Sequence, residues 1–61
     1  MKRRLFVQYL LSQGCRIHRE GGKHTVFYNP VGNKVSTVPR HQEINDFLVK
    51  KVCRDLGIVP P

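Results

Sequence analysis

Residues 21–30, Gly-Gly-Lys-His-Thr-Val-Phe-Tyr-Asn-Pro, leave the chain few choices. Two glycines open the stretch and Asn29-Pro30 closes it. Glycine supplies the positive φ of tight turns and proline cannot extend a hydrogen-bonded ladder, so both ends read as turns. Between them Lys23 to Tyr28 reads as a strand, with a titratable imidazole, His24, near its start. One face of that strand carries Lys23, Thr25 and Phe27, the other His24, Val26 and Tyr28. Both faces hold apolar side chains, so alternation alone does not choose the buried one. A His24 that meets a large substrate must lie on an open face or at an edge, which puts Phe27 and Thr25 inward.

The chain has 61 residues, and 1–61 reads as one domain. A chain of this size buries only about 60% of the surface its unfolded state exposes. It has no room for a deep cavity, which argues against a cofactor-dependent enzyme of small molecules. A surface acting on a polymer fits better. Eleven Lys and Arg against four Asp and Glu give a net charge of +7. That points to an anionic partner: nucleic acid, an acidic protein or a membrane surface. Cys15 and Cys53 lie far apart, with no C-x-x-C pair; one disulfide between them is an open alternative, and the commoner reading is two reduced, half-buried thiols. No signal peptide and no membrane-spanning run is visible, so the reading is cytoplasmic.

Taken in order, Met1–Gln13 is an amphipathic helix with a stripe of Leu5, Phe6, Tyr9 and Leu10, widened by Val7 and Leu11. Gly14 ends it. Lys2, Arg3 and Arg4 sit where the helix dipole disfavours cations, so they contact phosphate or form a solvated end. Cys15–Arg19 alternates as a strand, with Cys15 and Ile17 inward and Arg16, His18 and Arg19 outward. Glu20-Gly21-Gly22 is a hairpin turn. Asn29–Asn33 is a turn, and Lys34–Val38 a third strand ended by Pro39. Pro39-Arg40-His41 leads into a second helix with a stripe of Ile44, Phe47, Leu48, Val52 and Leu56. Its other side carries Gln42, Asp46, Lys50, Lys51 and Arg54. Gly57-Ile58 reads as its stop. The expected class is α+β, α-β-β-β-α: a three-stranded antiparallel sheet with both helices on one face and the other face open.

Arg19, Gly22, His24, Asn29-Pro30, Val38-Pro39-x-His41 and Leu56-Gly57-Ile58 together resemble the HicA toxin family, over roughly residues 3–58 and in the family's order and spacing. The resemblance implies a fold similar to a double-stranded RNA-binding domain. It implies a toxin of a type II toxin–antitoxin system that cleaves mRNA and is neutralised by a HicB-like antitoxin. It also implies that His24 is the essential histidine. Lys23 stands where the family often has serine, and adds a positive charge beside the imidazole that can hold a phosphate.

RNA carries its own nucleophile, the ribose 2′-hydroxyl, and its cleavage needs no metal in principle. Imidazole titrates near about pH 6.5 and can serve as base or acid. Cations stabilise charge building on the phosphate. The candidates are His24 as the acid–base group and Lys23, Arg19, Arg40 and Arg16 as RNA contacts. His41 is either a second acid–base group or a side-chain cap of the second helix. His18 reads as solvent-facing. Of Phe27 and Tyr28, one reads as core and the other can stack on a base. Asn29-Pro30 is a turn before it is a site. No carboxylate or cysteine joins the three histidines at ligand spacing, so no metal and no cofactor is expected. Two other classes compete: a non-catalytic double-stranded RNA-binding module, indifferent to His24, and a DNA- or protein-binding domain. The second helix lacks the Asn, Gln and Arg cluster that reading DNA bases needs.

Overall fold

The computed structural model describes residues 1–61. Helix α1 (Arg3–Ser12) is followed by strands β1 (Arg16–Glu20), β2 (His24–Asn29) and β3 (Lys34–Pro39), then helix α2 (Asp46–Leu56). The strands form one antiparallel sheet in the order β1-β2-β3. The α-β-β-β-α order is therefore the expected one, with strand bounds shifted by about a residue.

Helix α1 buries a narrower stripe than its sequence suggests. Phe6 and Leu10, one turn apart, are fully covered, and Val7 and Tyr9 pack against the core. Leu5 and Leu11 stay largely exposed. The helix ends as expected at Gly14, whose φ of +89° turns the chain back. The Cys15 N–H then donates to the Leu10 carbonyl at 3.0 Å, and Cys15 enters the core.

Helix α2 starts later than expected, and that rotates its buried face. Asn45 is the N-cap, its side-chain oxygen accepting from the Leu48 N–H at 2.8 Å. Val49, Val52, Cys53 and Leu56 are buried, with Leu48 packed beside them. Phe47, expected in the core, is 73% exposed. Ile44 is buried but belongs to the segment before the helix. His41 lies four residues before the cap, so the alternative that it caps the helix does not hold. Gly57, at φ +73°, and the Ile58 N–H donating to the Cys53 carbonyl at 2.9 Å close the helix as expected.

Ten apolar residues form the core, among them Phe6, Leu10, Phe27, Val38 and Leu56. Each fully buried Leu or Phe contributes about 1.5–3 kcal/mol. Cys15 and Cys53 are free and lie inside this core, deeper than the half-buried positions expected. Burial pushes both thiols up. Ile17 departs in the other direction. It pairs with Phe27 and so lies on the helix side, yet it is 45% exposed, because α2 packs over β3, the opposite edge of the sheet. A bulge then puts Arg19 opposite Val26 and Glu20 opposite Thr25.

The central strand turns Thr25, Phe27 and Asn29 inward, the face preferred from the sequence. Both helices are hydrogen-bonded to that face. Arg3 of α1 donates to the Thr25 hydroxyl and to the Pro39 carbonyl, each at 2.9 Å. Asn29 donates its amide N–H to the Leu56 carbonyl at the end of α2, 2.8 Å, and accepts from the Val31 N–H at 3.1 Å. The Asn29 side chain is thus a structural tie between sheet and helix as well as a turn residue. Asn29→Ala leaves both partners unpaired, one of them in a buried bond, and is expected to cost about 1–3 kcal/mol. The urea midpoint should fall accordingly; an unchanged midpoint would show that the tie carries no stability.

Candidate functional site

The sheet face turned away from the helices is made by alternate residues of each strand. Strand β2 gives it His24, Val26 and Tyr28, none of them buried. Across the ladder, Arg16 lies opposite Tyr28 and Arg19 opposite Val26 on one side, with Val35 and Thr37 on the other. His18, at the bulge, sets its ring edge-on to Tyr28, with centroids 5.9 Å apart. No carboxylate lies on this face. Glu20, the only acid in the sheet, turns to the opposite side and accepts from the Thr25 hydroxyl at 2.6 Å. Phe27 is the core aromatic and Tyr28 the open one.

His24 is the first residue of the central strand and is exposed. Its backbone is fixed from both sides. The Gly21 N–H donates to the His24 carbonyl at 2.8 Å, and the Arg40 N–H donates to the Lys23 carbonyl at 3.1 Å. The Arg40 side chain reaches back across the same hairpin, donating to the Gly21 carbonyl at 3.0 Å and pairing with Glu20 at 3.1 Å. The Thr25 hydroxyl is the main reason the Glu20 carboxyl sits below its usual range. Desolvation opposes it, and the Arg40 and Arg3 charges add to it.

Two shallow concavities meet at His24. Arg19, Lys23, Val26 and Thr37 border one; Lys23, Pro39, Arg40 and His41 border the other. Five of the residues singled out in the sequence, His24, Lys23, Arg19, Arg40 and His41, therefore gather around one point. Arg16 does not; it lies along the same face, opposite Tyr28. Arg16, Arg19 and Lys23 are in no ion pair, whereas Arg40 is held by Glu20.

The N-terminal cations divide. Arg3 is committed to Thr25 and Pro39, and Lys2 pairs with Glu43 at 3.0 Å. Arg4 alone has no partner, and it borders a polar cleft with Lys2, Arg3, Arg40 and Gln42. No three His, Cys, Asp or Glu side chains gather as a possible metal site. No helix is long and apolar enough to cross a membrane.

Glu20 and Gly21 do not stand out as site residues in the sequence, although both support the hairpin that carries His24. A Cβ on Gly21 would lie 2.9 Å from the His24 carbonyl oxygen, a distance real Cβ atoms do not tolerate. A Cβ on Gly22 would meet nothing within 4 Å. The Gly-Gly pair was a visible signal of a turn, but only the folded hairpin separates a glycine needed for close approach from one that leaves open space.

A family model of the HicA toxin of bacterial toxin–antitoxin systems matches residues 3–58. No curated protein and no solved structure matches the chain.

The two glycines should respond differently to the same substitution. Gly21→Ala is expected to shift the backbone amide resonances of Lys23 and His24 and to lower the thermal midpoint. Gly22→Ala should leave both near their native values. Equal effects would contradict the close approach at Gly21.

Proposed function

The chain belongs to the HicA toxin family of bacterial toxin–antitoxin systems, and on that basis we propose that it is an endoribonuclease that cleaves mRNA, with His24 as a general acid or base. The observation that carries this reading is an exposed imidazole, fixed at the start of the central strand, on a face with unpaired cations and no acid.

The chemistry follows from what surrounds it. A base removes the proton of a ribose 2′-hydroxyl, and the oxygen attacks the adjacent phosphorus. The bond to the 5′ oxygen breaks as an acid protonates it, leaving a 2′,3′-cyclic phosphate and a 5′-hydroxyl. His24 takes one of these proton transfers. His41, bordering the same concavity, takes the other. Lys23 and Arg19 meet the phosphate charge. Arg40 holds the hairpin that carries Lys23 and His24 and borders the same concavity. Arg16 binds RNA further along the face. Gly22, which borders both concavities with His24 and has open space where a side chain would be, leaves room for the ribose-phosphate backbone to approach. All these steps run on side chains of this protein, without a metal or cofactor.

The matching partner is a HicB-like antitoxin in the cytoplasm that presents an acidic surface to the His24 face. Its binding should weaken as salt screens the +7 charge. A complex indifferent to salt, with His24 left open, would contradict that placement. The second reading is a double-stranded RNA-binding module that performs no cleavage. The polar cleft of Lys2, Arg3, Arg4, Arg40 and Gln42 favours it, since phosphate contacts dominate duplex recognition.

Cleavage measured in EDTA separates the two. The native chain should cut RNA and His24→Ala should be slower by about two to four orders of magnitude. His24 is exposed, so its replacement should not disturb folding, which circular dichroism checks. Equal cutting by both chains would move the chemistry away from His24. Duplex binding without cutting would favour the binding module.

A further inference from the structure

The ribonuclease reading places its chemistry at one end of the open sheet face and leaves Tyr28, at the middle, without a role. There Tyr28 sits half-buried on the central strand, with Arg16 and Val35 as its ladder neighbours on either side and the His18 ring nearly perpendicular to its own. The Tyr28 hydroxyl makes no hydrogen bond within the chain. Tyr9, the other tyrosine, by contrast donates its hydroxyl to the Val59 carbonyl. Tyr28 is thus a large aromatic left half-open at the centre of a sheet, where exposure of apolar surface is costly.

Its surroundings suit one kind of ligand group. Val26, Val35 and Thr37 offer no charge, so the centre of the face attracts no phosphate. The cations stand along the β1 edge, at Arg16 and Arg19, outside that apolar centre. A row of cations beside an aromatic platform matches an unpaired strand, with phosphates along the edge and a base laid over the ring. A duplex keeps its bases stacked on each other and cannot lay one there.

The spacing links this platform to the cutting point. His24 and Tyr28 are four residues apart on one strand, about 14 Å at about 3.4 Å per residue. That spans about four nucleotides at the stacked rise of about 3.4 Å per strand, and fewer where the strand is splayed.

We propose that the open face binds RNA as an unpaired strand, with one base stacked on Tyr28 beside His18 at a fixed distance from the phosphate at His24. This rests on the ribonuclease reading for the position of the cut, but not for binding. Tyr28 is a positioning residue: it holds the strand in register and takes part in no proton transfer.

The test uses the native chain and a short RNA carrying 2′-O-methyl groups, which cannot be cut by 2′-oxygen attack. Affinity is measured for this strand alone and for the same strand paired with its complement. The single strand should bind at least about tenfold more tightly. Tyr28→Leu keeps apolar bulk in the sheet and should weaken single-strand binding by about 5- to 150-fold, the usual worth of one stacked base. Tyr28→Phe should bind like the native chain, because the ring and not the hydroxyl is used. Duplex binding as tight as the single strand would overturn the proposal, as would Tyr28→Leu binding like native. A Tyr28→Phe loss equal to that of Tyr28→Leu would replace stacking with a hydroxyl contact and also overturn it. Cleavage of unmodified RNA is read in parallel. Tyr28-dependent binding without cleavage by the native chain keeps the base platform and removes the ribonuclease reading. His24-dependent cleavage with no Tyr28 effect does the reverse.

Discussion

Thr25 and Asn29 are polar, buried and hydrogen-bonded to the two helices, and the position of His24 follows from those bonds. Strand β2 has apolar residues on both faces, so hydrophobic burial alone leaves its orientation underdetermined. A flip of one residue would put Val26 and Tyr28 in the core and strand Thr25 and Asn29 in solvent. It would also forfeit the Arg3–Thr25 bond and leave the Leu56 carbonyl unpaired, at about 1–3 kcal/mol for each buried group left unsatisfied. Native proteins are stable by only about 5–15 kcal/mol in all, so differences of this size decide the fold. With the inward face fixed, His24 can only point outward, and the pairing of β2 on both sides holds it there.

Charge is distributed to match. Three of the four carboxylates are used on the helix side or at its margin: Glu20 with Arg40, Glu43 with Lys2, Asp55 with Lys51. The fourth, Asp46, is in the first turn of α2, where the dipole favours it. The open sheet face therefore keeps its cations unopposed. A net charge of +7 spread evenly would attract any polyanion weakly. Concentrated beside an apolar strip and an imidazole, it suits the proposed ligand, an anion that also carries flat rings.

Much of this was legible in the sequence. The Gly-Gly and Asn-Pro signals place the strand that carries His24, and the expectation that Thr25 and Phe27 face inward matches the structure. Gly14 and Gly57 gave the helix ends. Ile17 was misplaced because alternation tells which side a residue lies on, and not whether a helix covers that part of an edge strand. Phe47 falls in the apolar pattern only when that pattern begins at Ile44, which precedes the helix. The Asn45-Asp46 pair, an N-cap followed by an acid, carried the correct start and would have shifted the stripe to Val49, Val52, Cys53 and Leu56. The structural uses of Arg3 and Asn29 were not legible, since each depends on a partner more than 20 residues away.

The open face is the feature on which the functional account stands, and nuclear magnetic resonance of the native chain with an uncleavable RNA strand tests it most directly. The imidazole signals of His24 and His18 and the amides of Arg19, Val26 and Tyr28 should shift together as RNA is added, while Phe47, Lys50 and Arg54 on α2 stay still. Shifts centred on the helices, with the His24 imidazole unmoved, would contradict the account and place the nucleic acid on the other side of the molecule.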